Sequence, residues 1–304
     1  MAKISLGINN SFAVNRYPEP EEWTRIVRDF GLKHVQFFAD LIEPSIFGPD
    51  ATEKLVEKTN RACRDNGIKI HDVFGGTMVR WYNFLLHPEE EVRRDALRWF
   101  EKYIGLAADL RSTGCGCFLG SFSFRDLNNP ERYNSLLDEA IERWHVLAKL
   151  AKDKGLSCLM FEPMSIPREV PCTIDQAKEL YERLNDGSEL PVKLCLDVGH
   201  GAYRSGSEDD RNPYAWVREL SPMAPVIHIQ QTDGKSSKHW PFTPQFNKIG
   251  IIEAGKVIEA IEDSGAEEVL LVLEVFSSFF EPGDTQVIED LRMSVDYWRG
   301  YVED

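Results

Sequence analysis

A chain of 304 residues with 35 Lys and Arg against 50 Asp and Glu carries a net charge of −15, and its 42% apolar and 28% charged residues are the composition of a folded soluble protein. That charge argues against nucleic acid as a partner, because duplex binding draws much of its affinity from a basic face that releases phosphate counterions. No apolar run approaches the roughly 18 residues that span a bilayer, so no membrane partner is expected. The segment Met1-Ala2-Lys3-Ile4-Ser5-Leu6-Gly7 lacks the apolar core of a secretory signal, which points to the cytoplasm.

Short runs rich in β-branched and aromatic residues alternate with segments of helical period, the pattern of parallel βα units. In chain order the pattern predicts strands at Ile4–Ile8, His34–Phe38, Lys69–Phe74, Cys115–Leu119, Ser157–Phe161, Lys193–Leu196, Val226–Ile229 and Val269–Leu273. The helices expected between and after them are Glu21–Phe30, Ala51–Asn66, Pro88–Leu110, Glu131–Lys154, Thr173–Asn185, Pro213–Leu220, Ala254–Ser264 and Thr285–Tyr301. Gly31, Gly67, Gly155 and Gly265 follow four of these, in the left-handed position that ends many helices. Eight pairs without an intervening Pro-rich or Ser-rich linker fit one α/β domain over residues 1–304, a single (β/α)8 TIM barrel. An open nucleotide-binding sheet would carry a glycine-rich turn after its first strand, where this chain has Gly7-Ile8-Asn9-Asn10-Ser11. The irregular stretches Ser121–Pro130, Pro163–Cys172, Gly201–Asn212 and Thr232–Gly250 each follow a strand, which places them on the face where barrels build active sites. The six cysteines show no CxxC pair, and four sit in or beside apolar runs as expected of buried thiols.

The chemistry collects at the ends of strands five to eight. Cys158–Phe161 runs into Glu162, Leu194–Leu196 into Asp197 and Val269–Leu273 into Glu274, while His228 stands inside Pro225–Ile229. A charge abutting an apolar strand must be paired or bound to a metal. Each residue alone reads as a helix cap, an ion-pair partner or a satisfied core histidine. Their separations of 35, 31 and 46 residues, however, each fit a crossover helix with its return strand, so the four are expected at one level of the barrel mouth. Three carboxylates and one imidazole make a hard site for one divalent ion, Mn²⁺ or Mg²⁺ with Co²⁺ as a third candidate, and leave room for substrate oxygens. Such an ion acidifies the C–H bond between a ketone and a neighbouring hydroxyl. Glu162 and Glu274 can then act as acid and base from opposite faces, giving an epimer or an aldose–ketose isomer according to where the proton returns.

The set Phe161-Glu162-Pro163, Leu196-Asp197-Val198-Gly199-His200, Val226-Ile227-His228-Ile229 and Leu273-Glu274 resembles the xylose isomerase-like barrel family of sugar and sugar-phosphate isomerases and epimerases, above all its ketose 3-epimerases. The resemblance spans the chain. It implies Glu162, Asp197, His228 and Glu274 as metal ligands, Glu162 and Glu274 as the acid/base pair, and His200 as a substrate-oxygen contact, where the local sequence alone also allows a solvated turn. Within the family the chain is similar to the bacterial tetrulose 1-phosphate 3-epimerases of erythritol and threitol breakdown, which interconvert D- and L-erythrulose 1-phosphate. Many epimerases of free ketoses have Arg six residues after the strand-seven His, where this chain has Gly234 followed by Lys235.

The expected partner is therefore a small ketose or ketose phosphate. Arg80, Arg125, Arg168, Lys235, Lys238 and His239 lie on segments assigned to the catalytic face and compete as anion contacts, each with solvation as its ordinary alternative. Lys235 and Arg125 are taken as substrate-binding, with Trp81 among the aromatics (Phe12, Phe74, Trp81, Tyr82, Phe122, Phe124, Trp240) that either wall the pocket or pack. Gly75-Gly76 is a close backbone approach to ligand or an ordinary turn. A free-ketose epimerase or aldose–ketose isomerase, a keto-polyol dehydratase and a non-catalytic sugar or metal module remain as alternatives. Aromatics near Phe276–Phe280 and Trp298 hint at a subunit contact in a homo-oligomer, a dimer or tetramer.

Overall fold

The computed structural model describes residues 2–201, 206–277 and 281–302. Strands β1 (Lys3–Asn9), β2 (His34–Phe38), β3 (Lys69–Phe74), β4 (Gly114–Cys117), β5 (Cys158–Phe161), β6 (Val192–Asp197), β7 (Val226–Ile229) and β8 (Glu268–Leu273) close into a barrel in sequence order. Neighbouring strands are parallel all the way round. The helices packed outside are α1 (Pro20–Asp29), α2 (Pro49–Asn66), α3 (Glu90–Asp109), α5 (Pro130–Asp153), α6 (Ile174–Asn185), α7 (Pro213–Leu220), α9 (Ala254–Ser264) and α10 (Val287–Arg299), with single turns α4 (Phe124–Leu127) and α8 (Pro244–Asn247) in two of the loops.

Local chemistry explains these boundaries. Pro20, Pro49, Pro130 and Pro213 each open a helix, where the fixed φ fits and the missing N–H costs nothing. Gly67 and Gly265 close α2 and α9 with φ of 69° and 78°. Along α5 the spacing of Leu136, Ala140, Trp144, Leu147 and Ala151 turns one buried stripe toward the strands.

Three elements differ from the sequence reading. Strand β4 leaves the ladder at Cys117 because the chain turns through Gly120, at φ 138°, and bridges to Phe84 instead. The last helix starts at Val287, since Pro282–Gln286 forms a 3-10 turn. Trp298 is no surface contact: at 0% exposure it packs edge-on against Phe242 in the interior. Phe279 and Phe280 lie outside the described residues.

The barrel interior holds its own small cluster of Phe74, Met160, Cys195, Val226, Leu270 and Val272. Side chains alternate in and out along a strand. The next inward position after Met160 is Glu162, after Cys195 it is Asp197, after Val226 it is His228, and after Val272 it is Glu274. The candidate ligands are thus the inward row continued past the apolar layer.

Candidate metal centre and active-site cavity

The ligating atoms of Glu162, Asp197, His228 and Glu274 lie within 4.8 Å of one another, and all four residues are buried. The structure brings the four to one small volume at the mouth, where their spacing placed them. Asp197 pairs in register with His228, but Phe161 pairs with Leu194 and His228 with Val272. Along the ladder Glu162 thus falls two residues behind Asp197 and Glu274 two ahead of His228, a register offset of the kind by which tilted strands close a barrel, and the four stay within reach of one another.

His228 Nδ1 stands 3.2 Å from both Glu162 Oε1 and Glu274 Oε2. Asp197 receives Gln230 Nε2 on its two oxygens at 3.0 and 2.9 Å and the Gly199 N–H at 2.6 Å. His200 lies between Glu162 (3.2 Å from Nδ1) and Asp197 (3.5 Å from Nε2), yet neither ring nitrogen meets hydrogen-bond geometry. A buried imidazole without hydrogen bonds beside the cluster suits a ligand-facing role. His239 closes the group, with Nδ1 3.4 Å from Glu274 Oε2, and joins Asp197 and His200 in a second cluster of metal-binding type.

The electrostatics follow from this crowding. Burial opposes charge on His200, but Asp197 and Glu162 outweigh it and raise its pKa to about 9. The same competition, burial against Cys195, Glu274 and Glu162, holds His228 well above the ordinary histidine value. Glu162 is driven down despite burial by His200 and His228. Four buried groups of mutually dependent charge with hard donors fit a divalent cation.

A cavity of about 580 Å³ opens on this cluster. Glu162, Glu274, His200 and His239 line one side, the end of β3 supplies Phe74, and the loops after β1, β2 and β3 supply Phe12, Arg16, Asp40, Gly75, Gly76, Thr77 and Arg80. Gly76 is a close-approach position, since a Cβ there would overlap the Asp40 carboxylate. Among the described residues lining the cavity, the Lys and Arg side chains are Arg16 and Arg80. Arg80 Nη2 donates to Glu169 Oε2 at 2.8 Å, and Arg16 pairs with Asp284 and donates to the Ser277 carbonyl. Burial, with Glu43 nearby, raises Asp40 to about 6, although it accepts the Thr77 N–H.

Arg125, Lys235 and Trp81 are not among the lining residues. Arg125 is turned onto Asp126, Lys235 is exposed, and Trp81 is 78% exposed. Arg168 donates to the Phe122 carbonyl and stacks on Phe124, and Lys238 lies over Trp240. Gly234, at φ 71°, sits where a Cβ would press on Ile251, so this turn disfavours an Arg at that place. Sequence reasoning missed Arg16 and Asp40, whose loops carry no periodic signal, and Gln230, which the inward alternation from His228 could have found.

Comparison with known proteins agrees with this fold. The family model described as Xylose isomerase-like TIM barrel matches residues 24–297. D-erythrulose 1-phosphate 3-epimerase of Brucella abortus (strain 2308) is 31% identical over 302 residues, covering 99% of this chain and 97% of that protein. A xylose isomerase-type protein of Rhodospirillum rubrum ATCC 11170 superposes with a TM-score of 0.90 at 28% identity, covering 99% of this chain and 100% of the other. D-psicose 3-epimerase of Clostridium cellulolyticum H10, solved with D-tagatose, gives 0.72 at 13% identity over 99% and 100% of the two chains, a likeness of fold.

Proposed function

The chain belongs to the xylose isomerase-like TIM barrel family, and from that membership we propose that it is a metal-dependent 3-epimerase interconverting D- and L-erythrulose 1-phosphate. The observation that carries the reading is the convergence of Glu162, Asp197, His228 and Glu274 on one small volume beside a cavity of about 580 Å³ that Glu162 and Glu274 line. These four would hold one Mn²⁺ or Mg²⁺ ion. When bound, the ion supplies Lewis-acid stabilisation for charge that develops on neighbouring substrate oxygens.

The chain's own residues do the rest. Glu162 and Glu274 belong to strands separated around the mouth, so one carboxylate removes the C3 proton and the other delivers a proton to the opposite face of that carbon. His200 contacts a substrate oxygen between them. Phe12, Phe38 and Phe74 keep water from the reacting carbon, and Arg80 with Arg16 faces the phosphate from the β1–β3 side. The relative with a printed activity on a tetrulose 1-phosphate supports the choice of substrate.

The test is proton NMR of D-erythrulose 1-phosphate in D₂O with the Mg²⁺-loaded protein. Deuterium entering at C3 alone, with the L-enantiomer formed, is the expected outcome. Deuterium appearing at C2, with the carbonyl moved to C3, would reassign the reaction to isomerisation, and no exchange at any carbon would remove this substrate.

A further inference from the structure

Behind His228, away from the cavity, lies a chain of buried amide and carboxylate groups that the proposed reaction does not use. Gln36, on β2 and 0% exposed, has Oε1 2.8 Å from His228 Nε2 and receives Asn9 Nδ2 on the same oxygen at 2.8 Å. Its Nε2 donates to Asp72 Oδ1 at 2.9 Å. Two anchors at opposite ends fix which way the Gln36 amide points. Asp72 only accepts when ionised, so the NH₂ of Gln36 must face it. Asn9 uses its own Oδ1 to accept the Ser11 N–H at 2.9 Å, so it presents NH₂ to Gln36 and demands an oxygen there. With the oxygen of Gln36 settled, the His228 nitrogen opposite must be the N–H.

We infer that Asp72 and Gln36 are positioning residues that lock His228 with its proton on Nε2, leaving Nδ1, the atom 3.2 Å from both Glu162 and Glu274, as the nitrogen that holds the metal. The inference rests on the proposed metal site for its consequence, but the hydrogen-bond chain stands on its own geometry. A histidine ligand whose second nitrogen is held by an oriented acceptor is fixed in ring angle before the metal arrives, and keeps its remaining proton on that nitrogen once the metal has displaced the other. Here the acceptor is an amide rather than a carboxylate, so the negative charge of Asp72 sits one residue farther from the ion. The Phe74 ring, edge-on to the imidazole at a centroid distance of 4.9 Å, restrains its plane from the side. Cys195 Sγ lies 3.2 Å from the same Nε2 and competes only as a weak acceptor.

The experiment has two readouts, neither of them activity. Long-range ¹H–¹⁵N correlation on histidine-labelled protein, metal-free and then Mg²⁺-loaded, should show the His228 Nε2–H in both states, protected from solvent exchange. A bare Nε2 with the proton on Nδ1 would overturn the inference. Calorimetric titration with Mn²⁺ should give a dissociation constant about 10- to 100-fold weaker for Gln36→Leu. Asp72→Asn, whose amide oxygen still accepts from Gln36, should stay within about threefold, and an equal loss for both variants would mean that charge rather than orientation is what the relay supplies, against the inference. If Gln36→Leu fails to fold, the wild-type spectra decide alone. If the wild-type protein binds neither ion, the metal reading falls while the relay is still tested in the metal-free protein by the solvent protection of the Nε2–H, which should be lost in Gln36→Leu; protection unchanged in that variant would overturn it.

Discussion

The two halves of the barrel mouth are built on different rules. On the β5–β8 side the four clustered groups are buried and stand in the strands or one residue past their ends, and two are gripped by other fixed groups: Asp197 by Gln230 and a backbone N–H, His228 by Gln36. On the β1–β3 side Arg16, Asp40 and Arg80 come from loops and short 3-10 turns, and the two arginines are paired with carboxylates of other loops, Asp284 and Glu169. Chemistry needs groups held to within fractions of an ångström, which strands supply. Substrate recognition tolerates loop side chains that exchange one partner for another. The first half should thus set turnover and the second half affinity.

The largest effect that tests this division is at Glu274. Glu274→Gln keeps shape and hydrogen bonding but can accept no proton, so kcat should fall about 10²- to 10⁴-fold, read by deuterium incorporation at C3. Circular dichroism should be unchanged. A loss below tenfold would take the proton relay away from the β5–β8 half.

Arg80 tests the other half. Charge-assisted hydrogen bonds contribute roughly 1.5–3 kcal/mol, so Arg80→Gln should raise KM for a ketose 1-phosphate about 10- to 100-fold while kcat moves little. The same variant assayed on the unphosphorylated ketose should match the wild type. Equal losses on both substrates would mean that Arg80 serves only to hold the buried Glu169 carboxylate.

What the sequence revealed divides along the same line. Eight βα units were legible from alternating pattern, and the four residues that cluster at the mouth because a charge set at the end of an apolar strand contradicts the pattern around it, as with Glu162 after Cys158–Phe161. The register offsets between these strands were not legible, because strand pairing is something one chain's spacing does not encode. Arg16 and Asp40 were illegible for a different reason: a charged loop residue is ordinary, and only folding brings these two to one cavity. Trp298 misled because helix α10 turns it inward, a fact carried by helical phase rather than by its being aromatic.

Asp40 yields a smaller, pH-dependent effect. Its pKa is raised from 3.8 to about 6 by burial and by Glu43, so the folded state holds this proton more tightly than the unfolded chain. The resulting stabilisation is fully present below 3.8 and is lost as pH rises through about 6. Asp40→Asn, which still offers an oxygen to the Thr77 N–H, should then be more stable than the wild type at pH 7 by on the order of 2 kcal/mol. That advantage should shrink on acidification toward pH 4. Parallel stability curves from pH 4 to 7 would show that Asp40 is solvated, and that the β1–β3 half buries no uncompensated charge.

The smallest effects belong to residues that lie on the same face but outside the cavity. Lys235→Ala, Arg125→Ala and Trp81→Ala remove exposed side chains, and surface changes of that kind are worth within about 0.5 kcal/mol, so kcat/KM should stay within about twofold. Arg125→Ala carries one further expectation, a slight loss of thermal stability, because among the described residues Asp126 would keep Arg132 alone as an ion-pair partner. A tenfold loss of kcat/KM in any of the three would show that its loop folds over the cavity when substrate enters. Affinity would then come from loops around the whole mouth rather than from the β1–β3 half, and the division would survive only for the proton-transfer step.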